Sequence, residues 1–315
     1  MLARVAESLN WMARYIERAE STARLIQMGQ RMAILPGPIH REEWRSVLRV
    51  TGCDGLIDGE RAVREADIVQ LLLLDEGNPS SIRSCMMRAR ANGRAVRTAL
   101  TQDMWEAIND DWRKLESYDA ARARRHLPGL LDWVKTRAST FRGAAETGQI
   151  RNEGHDFLRI GGALERAEMT LRLLDVKYYV LLPETSVVGG ARDHYQWTSV
   201  LHALSAARAY HHVYGGGDYT PWRIADLLIL NAQFPRSLSF CFGQIAWHLD
   251  RLAAAHGGRS AAQDVAAGLL SELRDRESGE VFEAGLHEFV QNALAVTNRL
   301  SREIAQAYPF AWRFP

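Results

Sequence analysis

Cysteine is scarce in this chain: 315 residues hold only Cys53, Cys85 and Cys241, with no CxxC pair. That excludes a disulfide scaffold and a thiolate zinc site, and fits small core residues in a reducing compartment. Lysine is nearly absent too, at Lys114, Lys135 and Lys177 alone, so the basic charge is almost all arginine. Net charge is +1, which gives neither nucleic acid nor a membrane surface a bulk electrostatic pull. No apolar run approaches membrane-spanning length; the stretch 68–74 still contains Gln70. The start, Met1-Leu2-Ala3-Arg4-Val5-Ala6-Glu7, is too charged and too periodic for a signal peptide. The expectation is a cytoplasmic protein. Motifs that carry common chemistries are missing as well: there is no GxxxxGK[ST], no GxSxG and no Glu-x-x-His. Without Glu-x-x-His, the di-iron carboxylate pattern is incomplete, and the arginines beside the Glu-x-x-Glu pairs repel a cation. No metal and no cofactor are expected.

What the chain has is a phrase written twice. Residues 16–26, IERAESTARLI, return at 164–174 as LERAEMTLRLL, with seven of eleven positions identical, every charged one among them. The stretch 71–85 echoes at 227–241, and Trp44-Arg45-Ser46-Val47-Leu48 echoes at Trp197-Thr198-Ser199-Val200-Leu201. Three anchors in one order, at nearly constant offset, read as a tandem duplication.

Helical spacing dominates. Leu2, Val5, Leu9, Met12, Ile16, Ala19, Ala23 and Ile26 recur at three- and four-residue steps, and Phe157, Ile160, Leu164, Ala167, Leu171, Leu174 and Tyr178 do the same. Breaks are expected at Pro36–Pro38, Gly52–Gly59, Gly77–Pro79, Pro128-Gly129, Pro183–Gly190, Gly215–Pro221 and Gly257-Gly258. Asn78 before Pro79 predicts an N-cap and first helical residue, opening a helix to about Asn109, bent near Gly93. The fold expected is all-α: a duplicated multi-helix bundle whose two pseudo-symmetric halves, 1–145 and 146–315, pack together. The glycines at 189–190 and 215–217 lack the strand-before, helix-after setting of a phosphate loop.

The repeated phrase sets two charged faces on each helix. Glu17, Glu20 and Arg24 share one and Arg18 lies on the other; Glu165, Glu168 and Arg172 match the first set and Arg166 the second. Glu20–Arg24 and Glu168–Arg172 are ordinary i, i+4 pairs. Glu17 and Glu20, by contrast, are like charges one turn apart and call for a cationic answer. Packing about a pseudo-two-fold axis predicts reciprocal bridges, Glu17 to Arg166 and Glu165 to Arg18. The motif is then either a structural network or a ligand pocket. A second feature is basic: Arg83, Arg88, Arg90, Arg94 and Arg97 with no acidic residue between Glu76 and Asp103. Arg83, Arg90, Arg94 and Arg97 share a helical face and, with Asn92, form a candidate dock for an acidic partner or an anion; a solvated face is the plain alternative. Eight of the ten histidines lie after residue 146, none at zinc-ligand spacing.

The chain resembles the Alpha-E family, α-helical proteins named for a Glu-Arg motif that typically occurs in tandem. The likeness is carried by residues 1–9, by Arg14-Tyr15-Ile16-Glu17-Arg18-Ala19-Glu20, by 78–82 and 88–92, by 151–161, by Leu164-Glu165-Arg166-Ala167-Glu168 and by 234–238. His155 stands where the resemblance leads one to expect Trp. The resemblance implies association with circularly permuted ATP-grasp proteins and transglutaminase-like proteins, in systems that form peptide or amide bonds. The leading expectation is an accessory or binding subunit of such a system. The alternative is a catalytic subunit, with Arg18 and Arg166 gripping a carboxylate or phosphate and Glu17 or Glu165 acting as base. A structural homo-oligomer is the third reading. Charges around a polar cavity favour the enzyme; charges sealed by side chains favour structure.

Overall fold

A computed structural model describes residues 3–33, 40–58, 61–180, 191–216 and 219–308. Pro36–Pro38, Gly59, Pro183–Gly190 and Gly217 among the expected breaks lie outside them, as do Leu2 and the side chain of Tyr178. Among the described residues the chain is all helical, with no strand.

The helices run in chain order as α1 (Ala3–Met32), α2 (His40–Val50), α3 (Glu65–Ile68), a π-helical turn at Val69–Leu74, and α4 (Ile82–Ala95). They continue with α5 (Gln102–Glu116), α6 (Ala120–Arg125), α7 (Leu127–Gly148), α8 (Glu153–Val180), α9 (Ala191–Ala203) and α10 (Ala207–Tyr214). The last are α11 (Pro221–Ile229), α12 (Leu238–His256), α13 (Ala261–Asp275), α14 (Glu280–Glu283) and α15 (Leu286–Ala307). The expected division at 145/146 falls inside the last turn of α7, and the break between α7 and α8 spans 149–152.

The two long periodic runs are α1 and α8. Both are packed on several sides, which is why their sequences carry more than one buried stripe. They lie against each other, and their neighbours correspond. α1 packs on α4 and α7, α8 on α12 and α15; α5 bridges α4 and α7, α13 bridges α12 and α15. α9 lies on α1 while α2 lies on α8. The α1–α8 approach is close. A Cβ on Gly161 of α8 would sit 2.3 Å from the Asn10 carbonyl oxygen of α1, so only glycine fits there. The ring of Trp44, buried, occupies the space a side chain on Gly29 would need.

The stretches written alike in sequence make the same local bonds. Ser81 caps α4 and Ser237 caps α12, each accepting from the backbone N–H three residues on, at 3.0 Å. Their hydroxyls donate to the carbonyls of Asp75 and Asn231. Thr22 donates to the Ser80 carbonyl and Thr170 to the Arg236 carbonyl. Gly52 and Ser205 both take positive φ, +71° and 55°, Ser205 being the non-glycine residue that does so among the described residues.

Two local expectations need correction. The cap of α4 is Ser81, not Asn78. Asn78 instead accepts from the Ser80 N–H and donates to the Leu71 carbonyl, closing the loop before the helix. Nor does one helix reach Asn109. α4 ends at Ala95, a 3-10 turn at Arg97–Ala99 follows, and Thr101 caps α5 by accepting from the Met104 N–H. The end of α4 near Gly93 is set by tertiary packing: a Cβ there would touch Met12 of α1, and Leu100 and Ile108 beyond the turn, at 3.4 Å.

Candidate functional site

The Glu-Arg motifs meet at the α1–α8 contact. Glu17 projects from α1 and is 2% exposed; its carboxylate accepts from Arg166 of α8 at 3.0 Å, with the Arg166 Nε 2.9 Å away as an ion pair, from Arg236 at 3.0 Å and from Arg142 of α7 at 3.1 Å. Glu20, one turn on and fully buried, accepts from Arg24 at 2.6 Å, from Arg236 at 2.9 Å and from Arg142. The reciprocal side is built alike. Glu165 of α8, also 2% exposed, accepts from Arg18 at 2.5 and 3.0 Å and from Arg14 at 2.9 Å. Glu168 accepts from Arg14 at 3.1 Å and from Arg172 at 2.7 Å. The two expected bridges, Glu17–Arg166 and Glu165–Arg18, are both present. The like-charge pairs one turn apart persist because a guanidinium spans each: Arg142 and Arg236 touch both Glu17 and Glu20, and Arg14 touches both Glu165 and Glu168.

The electrostatics follow from that geometry. Burial alone pushes the Glu17 carboxyl up, but Arg166, Arg236 and Arg142 together hold it well below the ordinary carboxylate range. Burial likewise acts against Arg18 and Arg14 at Glu165, and the arginines prevail, holding Glu165 at about 2. Glu20 is also lowered: burial and Glu17 raise it, and Arg236, Arg142 and Arg24 outweigh them. These groups have depressed folded-state values, so their stabilisation is fully present above about pH 4.5, the unfolded range. It is lost as the pH falls toward about 2. Urea unfolding midpoints are expected to stay level from pH 7 to about 5.5 and to fall below pH 4.5, with a shallower fall in Glu165→Gln. Equal acid sensitivity in both chains contradicts this.

Arg142, Arg236 and Arg14 were not singled out from the sequence as partners of the motif. Arg14 lies two residues before the repeated phrase, but Arg142 and Arg236 reach the site from 125 and 219 residues beyond Glu17. No local spacing announces such a contact.

The basic run splits. Arg83 turns inward and donates to the Leu115 and Tyr118 carbonyls at the end of α5, and Arg90 donates to Asn109 at 2.9 Å. Arg88 lies by the Tyr15 ring. Arg97 lies over Trp105, and Arg94 is exposed. Asn92 is half-buried.

A second buried cluster joins α8 to α12. Asp156 accepts from Arg251 at 3.0 Å and meets His248 Nδ1 at 2.7 Å, with His155 beside them. These three residues are close enough to share an ion. Their ligand atoms are already engaged, however: Arg151 bonds His155 Nε2 and Arg251 holds the Asp156 carboxylate. Burial and the Arg151 charge push His155 down to about 4, so the ring is neutral at pH 7.

Above the Glu17 network lies a cavity of about 60 Å³ between α1, α7, α8 and α12, with Arg142, Arg159, Arg166 and Gln244 in its wall. Among the described residues no helix is long and apolar enough to cross a membrane.

Comparison with known proteins agrees with this architecture. Similar curated proteins, each named as uncharacterized, occur in Mycobacterium bovis (strain AF2122/97) and in Mycobacterium tuberculosis strains CDC 1551 and H37Rv. They are 23% identical over 96% of this chain, which spans 36% of their length. No solved structure matches. A family model described as a predicted α-helical domain with a conserved ER motif matches residues 1–308, and with its two buried Glu-Arg pairs the chain belongs to that family, Alpha-E.

Proposed function

We propose that this chain is a non-catalytic, cytoplasmic binding subunit of an ATP-grasp-linked system that forms peptide or amide bonds. In this reading it is a duplicated bundle, 1–145 and 146–315, whose Glu-Arg motifs lock the halves into one rigid body. The observation that carries the non-catalytic part is the state of the two motif carboxylates, buried and saturated by guanidinium groups even though Glu17 borders the cavity. A general base needs reach to a substrate proton and an acidity near the working pH. Glu17 and Glu165 are 2% exposed, saturated by guanidinium donors and held far below that range. The matched caps, threonine bonds and neighbour sets of α1 and α8 support the duplication. The system itself, with its circularly permuted ATP-grasp and transglutaminase-like partners, rests on the family resemblance. The exposed Arg94, with Arg97 and Asn92, is the surface assigned to an acidic partner.

The test is affinity purification of the tagged chain from its own host, read by mass spectrometry. Stoichiometric recovery of an ATP-grasp protein is expected, and its loss with Arg94→Glu/Arg97→Glu. A chain that emerges alone contradicts the subunit reading.

A further inference from the structure

The two ends of the charge network are not equal. Around Glu165 and Glu168 stand three guanidinium groups, from Arg14, Arg18 and Arg172. Around Glu17 and Glu20 stand four, from Arg24, Arg142, Arg166 and Arg236. A fifth, Arg159, is nearby, 3.2 Å from the Gln244 side-chain oxygen and 3.6 Å from Glu146. Surplus positive charge in a poorly hydrated place is costly unless an anion answers it. Burial lowers both Arg236 and Arg159, with Arg166 adding to it in each, while Glu17 beside Arg166 raises Arg166 itself.

The space for an anion has a simple origin. By the repeated phrase, position 162 corresponds to position 14. Arg14 fills its place, bonding Glu165, Glu168 and Ser301. Its counterpart is Gly162, and a Cβ built there meets nothing within 4 Å. Arg142 of α7 supplies the missing bonds to Glu17 and Glu20, but the volume beside Gly162 stays open as the cavity. At about 10–15 Å³ per water-sized probe, its volume of about 60 Å³ holds a ligand fragment of about four to six heavy atoms. The cavity wall joins Arg142, Arg159 and Arg166 to apolar side chains, among them Ile16, Phe141 and Phe240; Glu17 also borders it, its charge answered by Arg142, Arg166 and Arg236. His155, neutral at pH 7, adds no charge. Glu146 also lines it, 55% exposed, paired closely with Arg151 at 2.7 Å and more loosely with Arg159 at 3.6 Å.

We propose that the cavity beside Gly162 binds a small organic carboxylate with a short apolar stem, its head held by Arg159 and Arg166 and its stem against Ile16, Phe141 and Phe240. Guanidinium forks grip carboxylate and phosphate alike; the apolar wall selects a head that carries a stem. This inference stands apart from the subunit reading and does not depend on which partner is recovered.

Sodium butyrate is the probe, titrated at constant ionic strength against sodium phosphate and sodium chloride, with binding read by calorimetry and by amide chemical shifts. Saturable butyrate binding is expected, weakened roughly tenfold or more by Arg159→Gln and abolished by Gly162→Leu, which fills the cavity. Arg159 is partly exposed, so its variant keeps the test open if Gly162→Leu fails to fold. Absence of saturable butyrate binding overturns the proposal. So does binding that survives both folded variants, or phosphate binding as tight as butyrate.

Discussion

Glu17→Gln is expected to lower the unfolding free energy by about 3–5 kcal/mol, the range for stranding a buried charge. Gln keeps the shape and removes the charge. Arg166, Arg236 and Arg142 all bond Glu17; without its charge Arg236 and Arg142 are left with Glu20 as their shared carboxylate, and Arg166 loses its bridge. The amide also offers one accepting oxygen where two stood, and turns N–H donors toward guanidinium donors. Burial leaves little water to repair the loss. Glu146→Gln serves as the control: its carboxylate is 55% exposed, and removing an exposed pair costs about 0–1 kcal/mol. Equilibrium urea unfolding measures both. A Glu17→Gln loss no larger than the control's contradicts a sealed network.

Two adjacent glycines give the second large effect. Gly161→Ala is expected to destabilise by at least about 1–3 kcal/mol, the usual cost of overpacking. The obstacle is the Asn10 carbonyl, at 2.3 Å from the new Cβ, and backbone cannot swing aside as a side chain does. α1 and α8 must part, and their separation stretches every bridge between them. Gly162→Ala, one residue on, meets open space and is expected to stabilise the helix by about 0.5–1 kcal/mol through propensity alone. Thermal unfolding of the two variants side by side checks the opposite signs. Equal shifts contradict the close α1–α8 contact. The lowered acid resistance of Gly161→Ala is a secondary readout, since parted helices hold Glu17 and Glu165 less firmly.

Much of this was legible beforehand, for reasons that differ by residue. α1 and α8 were readable because apolar spacing reports burial directly. The bridges Glu17–Arg166 and Glu165–Arg18 were readable because a repeated phrase implies a symmetric meeting. Arg142 and Arg236 were not, because a long arginine reaches a site from any element that happens to pass, and sequence distance carries no trace of it. The Asn78 cap failed because Asn, like Ser81, bonds backbone in several ways, and the loop's own closure decided between them. The Arg83–Arg97 run shows the limit of a charge pattern. Arg83 and Arg90 share a helical face with Arg94, yet α5 packs along that face and takes two of the three. Gly162 carried a signal in plain view: extending the repeated phrase back by two residues aligns it with Arg14, a loss of bulk and charge just before the kept stretch.

A double-mutant cycle on Glu17→Gln and Arg166→Met tests most directly whether the motifs bind α1 and α8 to each other. The bridge at 2.9 Å predicts a coupling within the roughly 0.5–3 kcal/mol seen for residues in contact, the double variant losing less than the two single losses combined. Strictly additive losses contradict the pairing and, with it, the account of the Glu-Arg motif as a reciprocal clamp.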